Sequence, residues 1–141
     1  YKKIYEIPMI RQLCRIMGVI PIAPYEGRAS VVNSLEMAKK KLIEGDLVCI
    51  FPEGQITRSG ELNEFKSGFE TVMQGLHYPI IPVYLHNVWG SIFSNEGGKF
   101  FLKKPKKIPY PITVVFGEAL PANAKADEVK SRIEELSQLI L

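Results

Sequence analysis

Leu47-Val48-Cys49-Ile50-Phe51 is a continuous apolar run that passes directly into Pro52-Glu53-Gly54-Gln55-Ile56-Thr57-Arg58-Ser59-Gly60. Five apolar residues are too few for a helix, and turn-forming residues bound them, so the pattern predicts a buried strand. The polar, glycine-punctuated stretch from Pro52 to about Gly68 then reads as a loop leaving that strand's carboxyl end. In open α/β sheets, ligands bind just outside the carboxyl ends of the strands, which makes this loop the first place to look for a site.

Working outward, strands and helices alternate. Upstream, Ile4, Ile7, Ile10, Leu13 and Met17 recur at three- and four-residue steps, predicting an amphipathic helix that closes near Gly18, with Pro8 weakening its first turn. Val19-Ile20-Pro21-Ile22 reads as a short buried or edge strand. Ser30 is placed to cap a helix with an apolar face of Val31, Leu35, Ala38 and Leu42, basic near its end at Lys39, Lys40 and Lys41 and stopped at Gly45. Downstream come a short helix from Phe69 to Leu76 and a buried strand, Ile80-Ile81-Pro82-Val83-Tyr84-Leu85. A glycine loop and a lysine-rich connector lead to a third buried strand, Ile112-Thr113-Val114-Val115-Phe116. A last helix, with Asp127 as its expected cap, carries Val129, Ile133, Leu136 and Ile140. This order predicts an α/β fold with a mostly parallel central sheet flanked by helices in a three-layer sandwich. No repeat or linker divides it, so residues 1–141 read as a single partial domain.

Composition narrows the field. Of 141 residues, 46% are hydrophobic and 23% charged, which excludes wholesale disorder and low-complexity fibre. The two cysteines, Cys14 and Cys49, form no CxxC pair and have no histidine at ligand spacing, so they read as reduced packing residues of a cytosolic chain rather than a disulfide framework. A net charge of +3 permits an anionic partner without demanding one. The chain opens on Tyr1 and closes on Leu139-Ile140-Leu141 without a stop signal, and both ends read as cut from a longer, multidomain polypeptide. Tyr1-Lys2-Lys3 is not followed by the apolar stretch of a signal peptide. No run reaches the roughly 18 apolar residues of a membrane span, so the expectation is a soluble or peripheral piece with any anchor outside it.

The loop after Phe51 holds the residue types of an anion site. Gly54 lets backbone approach a ligand, and N–H groups there can face an anion. Thr57 adds a hydroxyl, Arg58 a planar fork suited to phosphate oxygens, and Lys66 a second cation just before Gly68 and an expected helix start. Glu53 does not suit phosphate; a carboxylate there would orient donors or accept from a substrate hydroxyl. The alternative is a solvated polar connector with Glu53 and Arg58 paired at the surface.

Phe51-Pro52-Glu53-Gly54 with Thr57-Arg58-Ser59 resembles the third sequence block of the glycerophospholipid acyltransferase family, which acylates lysophosphatidic acid and other lysophospholipids. Phe65-Lys66-Ser67-Gly68 resembles its lysine–glycine element, Ile81-Pro82-Val83 its fourth block, and Gly18-Val19-Ile20-Pro21-Ile22 lies where the second block falls. The resemblance runs in order over roughly residues 13 to 121. It implies acyl transfer from a thioester, on acyl carrier protein or coenzyme A, to a glycerol hydroxyl, with no further cofactor and no metal. It also implies that Arg58, Thr57 and the Gly54 backbone hold the acceptor phosphodiester, with Glu53 near the glycerol hydroxyls.

Three departures qualify it. The family's first block is a His-x4-Asp dyad, the general base with its orienting carboxylate. Here the only histidines are His77 and His86, followed five residues on by Pro82 and Ser91, so no catalytic dyad is present and this chain alone is expected to be inactive. Where the second block ends in a phosphate-holding arginine stands Pro24, with Arg28 the nearest candidate. Gln55-Ile56 displaces Thr57-Arg58-Ser59 from Gly54, a longer form similar to the subgroup fused to acyl-carrier-protein synthetase modules, which reacylates 2-acyl-glycerophosphoethanolamine. Such an enzyme is expected at the cytoplasmic face of the cell membrane.

A second, non-catalytic reading rests on Lys99, Lys103, Lys104, Lys106 and Lys107, flanked by Phe100, Phe101, Leu102, Ile108 and Tyr110. Basic clusters beside apolar side chains suit docking on anionic lipid or an acidic carrier protein, and a solvated connector is the plainer alternative. Other chemistry fares worse. His77 and His86 make no metal pair, Trp89-Gly90-Ser91-Ile92-Phe93 lacks GxSxG, and Trp89 and Phe93 read as core. No nucleotide loop of the GxxxxGK[ST] kind occurs, and no recognised motif for nucleic acid accompanies the basic charge.

Overall fold

The structure, a computed structural model, describes residues 8–22, 27–91, 94, 96 and 109–140. They fall into two compact units, Tyr1–Ile50 and Phe51–Leu141.

The described residues of the first unit form two helices. α1 spans Pro8–Ile16, and α2 spans Arg28–Ile43. Proline opens α1 because the first helical position needs no N–H partner. The helix closes at the expected glycine: Gly18 N–H donates to Arg15 O at 3.2 Å and Val19 N–H to Cys14 O at 2.9 Å. The same paired bonds close α2, from Gly45 N–H to Leu42 O and from Asp46 N–H to Lys41 O, the arrangement that satisfies the last helical carbonyls. The inward face of α2 is as expected: Ala38 is buried, and Val31, Leu35 and Leu42 are half-buried.

Its start is not. Gly27 stands at the cap position and no side chain caps the helix, while Ser30 lies inside the first turn. Ser34 uses its hydroxyl instead. Its Oγ lies 2.9 Å from Ser30 O and 3.0 Å from Pro21 O, sharing one proton between the helix and the preceding segment. That bond, rather than a ladder, holds Val19–Ile22, which is no strand. The predicted strand Leu47–Phe51 is likewise extended chain without ladder partners, with Leu47 97% and Phe51 70% exposed. An apolar run becomes a strand only where another edge supplies N–H and C=O groups. No described residue offers that edge. Cys14 is half-buried and Cys49 exposed; both are free thiols, so Cys49 does not pack as expected.

The second unit contains α3 (Gly68–Met73), β1 (Val83–His86), β2 (Thr113–Phe116) and α4 (Ala126–Gln138). β1 and β2 pair antiparallel, in register Val83 with Phe116 through His86 with Thr113, and an isolated bridge of Ile80 with Leu120 extends the contact. The expectation of a mostly parallel sheet therefore does not describe the pairing seen. A parallel return needs a crossover, usually a helix, and no α-helix lies among the described residues between these strands. The described residues form a small α/β arrangement with one antiparallel pair and helices. Its buried apolar residues are Phe69, Val72 and Met73 of α3, Leu120 and Ala124 beyond β2, and Val129 and Ile133 of α4. The last two belong to the stripe read from the sequence, and α4 packs on β1.

Asp127 does not cap α4. The cap comes from 56 residues upstream: Glu70 Oε1 accepts the Ala126 N–H at 3.0 Å, and Oε2 meets Lys125 Nζ at 2.9 Å. A carboxylate at a helix N-terminus also complements the dipole, so Glu70 ties α3 to α4. The Lys125 ammonium, followed by the Ala126 N–H, holds the Glu70 carboxyl below its ordinary value of 4.5. A lowered folded value means that this tie is fully present above the unfolded value and is lost as pH falls through the folded one. Glu70→Gln is therefore expected to lower the melting midpoint by a few degrees at pH 7, with the gap to the parent narrowing once pH falls below the ordinary value of 4.5 and through the lowered folded one. A calorimetric series at pH 7, 5 and 3 measures this; a gap that stays constant to pH 3 contradicts it.

Candidate functional site

The loop from Pro52 to Ser67 is fastened along its length. Gly54 N–H donates to Phe51 O at 3.1 Å, closing a tight turn, and Lys66 N–H donates to Pro52 O at 2.8 Å, joining the loop's two ends. Between them, Glu53 Oε2 accepts both the backbone N–H and the Nδ2–H of Asn63, each at 2.9 Å. The Glu53 carboxylate is thus committed to the loop's own architecture. It is not paired with Arg58.

Two candidates are brought together. Gly54 has φ +65°, where a side chain is strained, and the Lys66 side chain lies over it. A Cβ on Gly54 would sit 3.1 Å from Lys66 Nζ and 3.2 Å from its Cδ. The ammonium therefore rests on bare backbone at the turn, a cation with no ion-pair partner among the described residues. Thr57 Oγ1 accepts the Gly60 N–H at 3.1 Å and lies 3.5 Å from Ser59 Oγ, which accepts the Glu61 N–H at 3.3 Å. So the Thr57 hydroxyl shapes the turn that presents Arg58. Arg58 itself is exposed, and no hydrogen bond or ion pair among the described residues engages its guanidinium. One fastened loop thus carries two cations, each without a carboxylate partner among the described residues, and such residue types suit phosphate oxygens.

The remaining candidates stand elsewhere. Gly68 is the first residue of α3, whose first turn carries Glu70. Arg28 is the first residue of α2 in the other unit and is exposed. Lys99, Lys103, Lys104, Lys106 and Lys107 lie outside the described residues, as does Phe93. His86 faces Tyr84 along β1 with ring centroids 6.2 Å apart, and His77 is exposed. Among the described residues no cluster of His, Cys, Asp or Glu could hold a metal, and no helix is long and apolar enough to cross a membrane.

Residues 1–86 match the family model described as acyltransferase. The chain belongs to the acyltransferase family. Among curated acyltransferases, it is similar to the chloroplastic 1-acyl-sn-glycerol-3-phosphate acyltransferase of Brassica napus, 33% identical over 82 residues, which cover 58% of this chain and 24% of that protein. It is also similar to the 1-acyl-sn-glycerol-3-phosphate acyltransferase of Limnanthes douglasii, 29% identical over 99% of this chain and 46% of that one. A probable enzyme of the same name from Mycoplasma genitalium is 29% identical over 64% of this chain and 33% of its own length. The chain thus spans less than half the length of these relatives. No solved structure matches it significantly.

Two residues that touch the turns of this acyltransferase loop, one within it and one beyond β1, escape a reading of the sequence. Asn63 is one polar loop residue among several, and nothing in its spacing marks it as the partner of Glu53. Trp89 reads as core yet lies half-buried against Gly60, where a Cβ would fall 2.9 Å from its ring. The Thr57-x-x-Gly60 spacing is a usable signal, because a threonine hydroxyl commonly accepts a nearby downstream backbone N–H in a turn.

Proposed function

We propose that residues 1–141 form part of a lysophospholipid acyltransferase domain, and that the Pro52–Ser67 loop holds the acceptor's phosphate. The observation that supports this most is that one loop, fastened by Glu53 and Asn63, carries both an exposed Arg58 and a Lys66 ammonium seated on Gly54. In the reaction, the acceptor's glycerol hydroxyl attacks the thioester carbonyl, the carbon–oxygen bond forms, and the carbon–sulfur bond breaks with release of the thiol. The residues here bind and orient; holding the acceptor in register supplies much of the rate in such a transfer. Glu53 acts by shaping the loop, since its Oε2 is taken by Asn63.

The acceptor is 2-acyl-glycerophosphoethanolamine and the donor acyl carrier protein or coenzyme A, as in the synthetase-fused type that the longer Gly54-to-Thr57 spacing resembles. The working place is the cytoplasmic face of a membrane. No histidine of this chain carries an aspartate five residues on, so the chain by itself binds the acceptor and does not transfer acyl groups.

The test is acyl transfer by the natural protein that carries this chain, with acyl carrier protein or coenzyme A thioesters. The expected result is faster acylation of lysophosphatidylethanolamine than of lysophosphatidic acid, and none by residues 1–141 alone. A preference for the monoester overturns the head-group assignment, and no transfer to any lysophospholipid overturns the function.

A further inference from the structure

We propose that Trp89 is a positioning residue for Arg58, fixing the direction of the guanidinium by clamping the turn that carries it; this rests on the acceptor-site reading above. Arg58 sits inside a four-residue turn whose two ends are tied, Thr57 Oγ1 accepting the Gly60 N–H at 3.1 Å. A turn closed on itself still pivots unless something outside holds it. The indole does so: a Cβ built on Gly60 would fall 2.9 Å from Trp89 Cδ2, 3.1 Å from Cε2 and 3.2 Å from Cγ. Only a bare backbone, here at φ +88°, accepts an aromatic ring that close.

Trp89 is itself held from behind. Tyr110 Oη donates to Trp89 O at 2.9 Å, Gly90 N–H donates to Ser94 Oγ at 3.0 Å, and the buried Ser94 Oγ donates to Ser91 O at 2.9 Å. The turn bearing Arg58 therefore leans on a hydrogen-bonded turn that follows β1. A long arginine loses side-chain freedom when it grips an anion. A backbone already fixed removes the loop's share of that ordering, which strengthens acceptor binding without touching the donor.

The test is steady-state acyl transfer by the natural protein, varying acceptor and donor separately. Trp89→Ala is expected to raise the KM for lysophosphatidylethanolamine about tenfold and leave the donor KM unchanged. Trp89→Phe, which keeps a ring on Gly60, is expected to recover most of it. Gly60→Ala, which pushes the ring away, is expected to reproduce the loss. The deciding measurement is a double-mutant cycle: in an Arg58→Ala background, Trp89→Ala is expected to cost less than about twofold. An equal cost in both backgrounds, or a parallel rise in the donor KM, makes Trp89 a structural residue only and overturns the proposal. Should Trp89→Ala fail to fold, Gly60→Ala with Arg58→Ala completes the same cycle, and Trp89→Phe serves as the variant that keeps the ring. If Arg58→Ala alone leaves the acceptor KM unchanged while Trp89 is intact, the acceptor-site reading falls, and this inference with it.

Discussion

Arg58→Ala is expected to lower kcat/KM for the lysophospholipid acceptor by roughly 10- to 100-fold, the usual worth of a charge-assisted hydrogen bond pair to an anion. The same change is expected to leave the unfolding midpoint within experimental scatter. The loss follows from the proposed grip on the acceptor phosphate; the unchanged midpoint follows because Arg58 is exposed and removing its guanidinium breaks no hydrogen bond or ion pair among the described residues. Arg58→Lys separates charge from shape. A lysine keeps the positive charge and loses the two-pronged fork, so partial recovery, of the order of a few-fold, is expected if two phosphate oxygens are gripped together. Lys66→Ala is expected to cost less, because one ammonium on an exposed loop is a screened point charge. Acceptor-dependent initial rates at two salt concentrations check the set. A loss in Arg58→Ala confined to the donor KM contradicts the assignment.

What could be read from the sequence follows the range of the forces involved. The inward face of α2 and the α4 stripe through Val129 and Ile133 were legible because helical periodicity is local and repeats every three to four residues. The glycine stops at Gly18 and Gly45 were legible for the same reason. The helix starts were not. Ser30 and Asp127 look like caps by residue type, yet α2 begins at Arg28 with no side-chain cap and α4 is capped by Glu70. A cap supplied across 56 residues leaves no trace in the local pattern.

Strands fail for a related reason. Leu47–Phe51 has the composition of a buried strand, but pairing is a property of two segments, and composition reports on one. Ile112–Phe116 includes β2, and Ile80–Leu85 overlaps β1 at Val83–Leu85 with His86 left beyond it, though the antiparallel sense of the pair was not written in either segment. At the site, the Phe51–Gly54 and Lys66 elements were found by type, and the close approach of Lys66 to Gly54 gave them a geometry. Of the two readings open for Glu53, orienting donors or accepting from a substrate hydroxyl, the geometry supplies the first, with Oε2 taken by the two N–H groups of Asn63.

Gly117→Ala is expected to destabilise the protein by about 1–3 kcal/mol, and Gly117→Val by more. The sign is the informative part. Replacing glycine by alanine in ordinary extended chain usually stabilises by about 0.4–1 kcal/mol, because the unfolded state loses freedom. Here the added carbon would fall 2.9 Å from Pro82 Cγ and 3.1 Å from Leu136 Cδ1. The leucine can turn aside, since its methyls are the far end of a flexible chain. The proline cannot: its ring is rigid, the residue is buried, and its carbonyl accepts the Gly117 N–H at 2.9 Å, which holds the two segments at that spacing. Relief must therefore come from moving backbone at the Ile80–Leu120 bridge or lifting α4, and either loosens the packing of α4 on β1. Urea denaturation of parent and variants measures the effect. Adding Leu136→Ala to Gly117→Ala should remove one of the two clashes and leave the other. The pair is then expected to be less destabilised than the sum of the two single changes, while staying below Leu136→Ala alone. A Gly117→Ala variant as stable as the parent, or more so, would mean that Pro82 and Leu136 do not meet over this glycine.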